Sequence, residues 1–207
     1  MFGINPSCPA YTYSPISRFY YPQDPNTAAN QLQFFYGPSL LVSPVTEENL
    51  TTVDIYLPDD KYYSFSTLFP VEATGNYVQL RDIPYTDIPV HIRGGSIVPL
   101  RVSGANTTAQ LRTKDFELLI APDVNGYAEG ELYLDDGESL VQEATSEIRF
   151  TYSEEVLGMS GTFGYDSGSV RIAKITVLGD VPVTKQLGVP LTGGVKVEIR
   201  SLSSYKV

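Results

Sequence analysis

Four pairs of adjacent carboxylates, Glu47-Glu48, Asp59-Asp60, Asp135-Asp136 and Glu154-Glu155, are the residues whose type could carry general acid and base chemistry. Glycosidic bond cleavage, the reaction most dependent on such pairs, needs two carboxyl groups about 5 Å apart for retention and wider for inversion, flanking one bond. Neighbours on a strand point to opposite faces, and on a turn they project into water, so adjacency argues against a catalytic pair. Asp135-Asp136-Gly137, after Leu132-Tyr133-Leu134 and before Glu138-Ser139-Leu140, reads as a hairpin turn whose Gly supplies a positive φ. His91 is the sole histidine, and no G-x-S-x-G nucleophile elbow accompanies it. On Val90-His91-Ile92-Arg93 it shares a strand face with Arg93 and reads as a hydrogen-bonded strand residue.

Metal and phosphate chemistry find no better footing. Asp123-Val124-Asn125-Gly126 begins like a calcium loop without its later ligands, and no His/Cys cluster has metal-ligand spacing. Arg93-Gly94-Gly95-Ser96 lacks the Lys and the following helix of a P-loop and reads as a tight backbone bend. Tyr62, Tyr63 and Phe65 could form a stacking platform for a pyranose ring. Alternation sends Tyr63 and Phe65 toward the core and Tyr62 to the other face. The sequence thus yields no catalytic residue, no metal site and no cofactor site. It does yield two N-glycosylation sequons, at Asn49 and Asn106.

The elements that would position these residues are strands. Short runs of Tyr, Phe, Val and Ile, punctuated by 17 Gly and 15 Pro, recur with turn signals at roughly 8–12 residue intervals, the pattern of sandwiches. One series covers 32–42, 52–57, 62–65, 77–80, 90–93 and 96–100. A second covers 116–121, 131–134, 148–152, 162–165, 171–178 and 195–199. The polar stretch 103–108 separates them. The expected fold is all-β: an irregular or disordered lead-in over 1–30, a β-sandwich over 31–105 and a second β-sandwich over 110–207.

Composition narrows the partners. A net charge of −10 repels a nucleic acid backbone or an anionic membrane and suits neutral partners such as oligosaccharides. No apolar run approaches the roughly 20 residues of a spanning helix. Met1 to Ser17 lacks a basic region followed by an apolar one, so no secretory signal is expected there. Cys8 is the single cysteine, which leaves no intramolecular disulfide to form.

Four segments, in order, resemble one family. Gln33 to Val45 is similar to the segment following the last barrel strand of glycoside hydrolase family 31, and Val53 to Pro58 with Tyr62 to Phe65 resembles the next two strands. Ile88-Pro89-Val90-His91-Ile92-Arg93-Gly94-Gly95-Ser96-Ile97-Val98-Pro99-Leu100 is similar to the family's C-terminal signature. Leu132 to Ser139 looks like the distal domain's hairpin. The resemblance covers about 19–207 and is closest to secreted fungal members. It implies the proximal and distal C-terminal β-domains of a retaining α-glucosidase-type enzyme whose nucleophile and acid/base lie upstream in a (β/α)₈ barrel. Neither motif has a counterpart here, so the chain is expected to be inactive alone and to support the barrel, with Phe19, Tyr20, Phe34 and Phe35 as the docking face. Met1 to Ser17 departs from the family's Arg-containing barrel strand, and 63–67 lacks its tryptophans. The resemblance also implies an extracellular location. The alternative is a stand-alone carbohydrate-binding sandwich without hydrolytic activity.

Overall fold

The computed structural model describes residues 19–30 and 32–199; Met1 to Ser17, with Cys8, lies outside them. Apart from two short helices, α1 (Asn26–Ala29) and α2 (Thr108–Arg112), the elements are strands. In chain order they are β1 (Phe34–Tyr36), β2 (Leu40–Val42), β3 (Val53–Leu57), β4 (Tyr62–Ser64), β5 (Pro70–Val71), β6 (Asn76–Leu80), β7 (Val90–Arg93), β8 (Ser96–Arg101), β9 (Phe116–Ala121), β10 (Ala128–Leu134), β11 (Ser146–Ser153), β12 (Val156–Phe163), β13 (Arg171–Val177), β14 (Val183–Pro190) and β15 (Val195–Glu198). The all-β expectation holds.

Three sheets form. The first, ordered β1-β2-β7-β4-β5, is flanked on one face by the two-stranded β3-β6 pair. The other face packs on an eight-stranded sheet ordered β14-β13-β9-β8-β10-β11-β12-β15. Alternation distributes the side chains: Phe35, Leu41 and Tyr62 face Ile55 and Leu57, whereas Leu40, Ile92 and Tyr63 meet Val98, Leu119 and Ala121. Along β9, Phe116, Leu118 and Ile120 turn the opposite way into the largest core, shared with Ile148, Phe150 and Ile172. Both faces of β8 and β9 are therefore covered.

The chain changes sheets at Gly94-Gly95. Gly94 has no room for a side chain, since a Cβ there would meet the Lys61 backbone oxygen at 3.1 Å and Asp123 Cα at 3.3 Å, while Gly95 has φ +85°. The bend read from the sequence is thus a transfer between sheets. The 31–105 reading counts β8 with the first unit, whereas β8 is hydrogen-bonded to β9 and β10 of the eight-stranded sheet. The apolar stretch 32–42, read as a single strand, is a hairpin turned by Gly37 at φ +63°. Of the lead-in, residues 19–30 are not disordered: Tyr20 and Tyr21 pack on the Phe35 cluster, and Thr27 is fully buried.

Candidate functional site

The densest polar constellation ties this lead-in to the first sheet. Arg93 ends β7 opposite Tyr62, and Asp60 lies two residues before β4. Arg93 Nε donates to Asp60 Oδ2 at 2.9 Å, and the Tyr21 hydroxyl donates to the same oxygen at 2.7 Å. The Tyr21 and Tyr62 hydroxyls lie 2.8 Å apart. The guanidinium stands over the rings of Tyr20 and Tyr21, 5.6 and 5.1 Å from their centres. Burial, then the neighbouring Tyr62, pushes the Tyr21 phenol far above its ordinary range, so it stays protonated and donates.

A second arm reinforces the first. The Tyr56 hydroxyl donates to Asp24 Oδ2 at 2.5 Å, and Asp24 Oδ1 accepts from the Asn26 backbone N–H at 3.0 Å. Buried Gln33 accepts from Tyr56 N at 2.6 Å and donates to Tyr56 O at 3.2 Å and Ser43 Oγ at 2.9 Å, bridging β3 to the first sheet. A cleft of about 500 Å³ lies between the arms, bordered by Tyr20, Tyr21, Asp24, Tyr56 and Asp59. Asp24 and Asp60 are both held by phenol donors, one also by a guanidinium, which leaves them as anchors rather than nucleophiles. The constellation clamps a segment in place.

The residues singled out in the sequence are not brought together. Asn49, at φ 62°, is exposed in the connection before β3, and Asn106 is exposed between β8 and α2. Glu154 and Glu155, both at positive φ, form the turn of the β11–β12 hairpin. Gly137 does have φ +66°, but the connection it belongs to spans 135–145 and is not a tight turn. Asp136 accepts from the Glu138 and Ser139 backbone N–H groups and from the Ser139 and Gln142 side chains. These bonds, the Ser139 hydroxyl first, hold it well below the usual carboxylate range. Asp123 uses its carboxylate to close its own turn, accepting from Asn125 N at 2.8 Å and Tyr127 N at 2.9 Å. Among the described residues no group of three or more His, Cys, Asp or Glu could hold a metal ion.

Two readings are corrected. Tyr62 and Tyr63 are both fully buried, because the first sheet is covered on both faces, so Tyr62 offers no surface to a sugar. His91 is buried between Leu41 and Ser64, and its Nδ1 has no hydrogen-bond partner; burial lowers its pKa to about 4. Asp60 was legible only as a turn residue. The signal for its role was Arg93 itself, a cation on a strand whose neighbours are core, which requires a carboxylate partner.

The fold and clamp define an all-β scaffold with no assembled catalytic group among its described residues. Residues 14–98 match the glycosyl hydrolase family 31 C-terminal domain. Over 162 residues, 78% of this chain and 19% of the relative, the chain is 52% identical to a probable alpha/beta-glucosidase of Arthroderma benhamiae. It is 35% identical to glucoamylase 1 of Schwanniomyces occidentalis over 77% of this chain and 17% of that relative. A crystal structure of a glucosidase II alpha subunit superposes with a TM-score of 0.78 at 22% identity, over 90% of this chain and 26% of that one, a likeness of fold. The chain belongs to glycoside hydrolase family 31 as part of its C-terminal β-region. It spans about a fifth of the length of these glucosidase relatives.

Proposed function

We propose that this chain is the C-terminal β-region of a secreted α-glucosidase-like hydrolase and supports a (β/α)₈ barrel without catalysing the reaction itself. In that reading a proximal part, about 31–105, faces the barrel and a distal part, about 110–207, packs behind it. The observation that carries it is the clamp: Tyr20 and Tyr21 over Arg93, and Asp24 under Tyr56, fix the segment leading into the first sheet. A chain entering from a neighbouring domain needs such an anchor. Of the four aromatic residues proposed for docking, Phe35 is core and Tyr20 packs edge-on against it at 4.8 Å, leaving Phe19 and Phe34. Hydrolysis of α-linked glucosides, an extracellular location and glycans at Asn49 and Asn106 belong to the same proposal. No helix among the described residues is long and apolar enough to cross a membrane.

The test is an assay of the 207-residue chain on chromogenic α-glucosides, alone and co-expressed with the barrel region of a fungal relative. No turnover alone, with turnover and co-purification when the barrel is supplied, is the expected result. Turnover by the isolated chain that vanishes on a single Asp or Glu substitution would overturn it.

A further inference from the structure

Strands β8 and β10 share a single register pair, Ser96 with Glu129, and then part company. From that point β8 follows β9 to Arg101, and β10 follows β11 to Leu134. The wedge between them is bordered by α2 and by residues 165–170, leaving a groove of about 880 Å³. Arg101, Arg112, Tyr133, Asp135, Tyr165 and Ser167 are among its walls. None of the clamp residues contributes, so what the groove does is independent of barrel support.

The groove mixes apolar surface with hydrogen-bonding groups whose charges nearly cancel. Arg112 Nη1 donates to the Asp135 carbonyl at 2.8 Å and lies 3.5 Å from its carboxylate. The Arg101 guanidinium lies 3.7 Å from the centre of the Phe116 ring. Burial first, and then Arg112, lowers its pKa to about 10, which leaves it cationic at neutral pH. Against these two cations stand Glu131, Asp135 and Asp166, also in the walls. An anion would find no surplus of positive charge, and the chain's net −10 opposes it further.

We propose that this groove binds a neutral saccharide, with a sugar ring on Tyr133 and hydroxyls shared between Arg112 and Asp135. Paired guanidinium and carboxylate groups suit vicinal hydroxyls, each of which donates and accepts at once. The saccharide has two sources. One is a free oligosaccharide. The other is a glycan on Asn106, which is exposed and sits between Gly104 and Thr108, both in the groove wall.

The chain produced in a bacterial host, free of N-glycan, is titrated calorimetrically with maltotriose beside Tyr133→Ala, Arg112→Ala and Tyr77→Ala. A free-saccharide site gives saturable binding, weakened about tenfold or more in the first two variants and unchanged in Tyr77→Ala, which lies on exposed β6. A tethered glycan gives no such binding. Instead, in chain made in a glycosylating host, the Asn106 glycan resists endoglycosidase, and Tyr133→Ala removes that resistance. Cooperative thermal melting confirms that each variant is folded. Neither binding nor resistance in folded chain overturns the proposal, as does binding that survives both groove substitutions. Loss of barrel support would move none of these readouts.

Discussion

His91 shows what burial does to a titratable group whose Nδ1 has no hydrogen-bond partner. Its ring lies on the face that packs toward Phe35, Leu41 and Tyr62, and in the folded chain it stays neutral down to about pH 4. In the unfolded chain it takes up a proton near its ordinary value of 6.5. Between those values the unfolded state binds the additional proton, so stability falls as pH drops through the window and levels off below it. The full cost is about 3 kcal/mol, and about 2 kcal/mol of it is lost by pH 5. Urea unfolding at pH 7 and pH 5 measures it: the wild-type chain is destabilised by about that amount, and His91→Leu shows little change over the interval. Equal pH dependence in both would mean that another group carries the titration. The sequence shows His91 on a strand face with Arg93. It does not show that this face is covered, because the β3-β6 pair that covers it comes from elsewhere in the chain.

At the scale of elements, legibility followed pattern strength. Strands β7 and β9 were placed to the residue, since short β-prone runs closed at both ends by Gly, Pro or Asp leave one reading. β14 was missed because it is a largely exposed edge strand carrying Thr184, Lys185, Gln186 and Gly188. Most of β12 was missed because Gly158, Ser160 and Gly161 break its alternation. Among the pairings hidden from any local reading is the Arg93–Asp60 contact, which joins residues 33 apart. Gly130 was equally silent, yet the junction of β8 with β10 depends on it. A Cβ there would meet the Ile97 carbonyl oxygen at 2.1 Å and Ile97 Cβ at 2.9 Å, both belonging to the neighbouring strand. Backbone cannot step aside as a flexible side chain can. Gly130→Ala therefore pushes β10 from β8, at a cost of about 3 kcal/mol by the measure of overpacked cores. Thermal melting reads the loss, and Gly104→Ala, where open space surrounds the new methyl, leaves the transition nearly unmoved.

The described residues present two kinds of apolar surface, and one of them is satisfied among those residues themselves. Where the first sheet meets the eight-stranded one, Tyr63, Ile92, Val98 and Leu119 bury each other, so that junction needs no partner. At the other edge of the first sheet, Leu32 is 57% and Tyr36 45% exposed, half-buried Phe34 lies between them in sequence, and Phe19 is 77% exposed in the clamped lead-in. Strand β1 is also the edge of its sheet. Apolar side chains beside an unpaired strand edge are what a neighbouring domain would cover, and uncovered they invite association. The isolated chain is expected to self-associate and to enhance the fluorescence of a hydrophobic dye. Replacing Phe19 and Leu32 by Ser together lowers dye binding several-fold and shifts the chain toward monomer in sedimentation, with little change in melting because neither side chain is core. A monodisperse wild-type monomer that leaves the dye dark would remove this edge as the docking face, while the clamp beneath it would remain to hold residues 19–30 on the sheet.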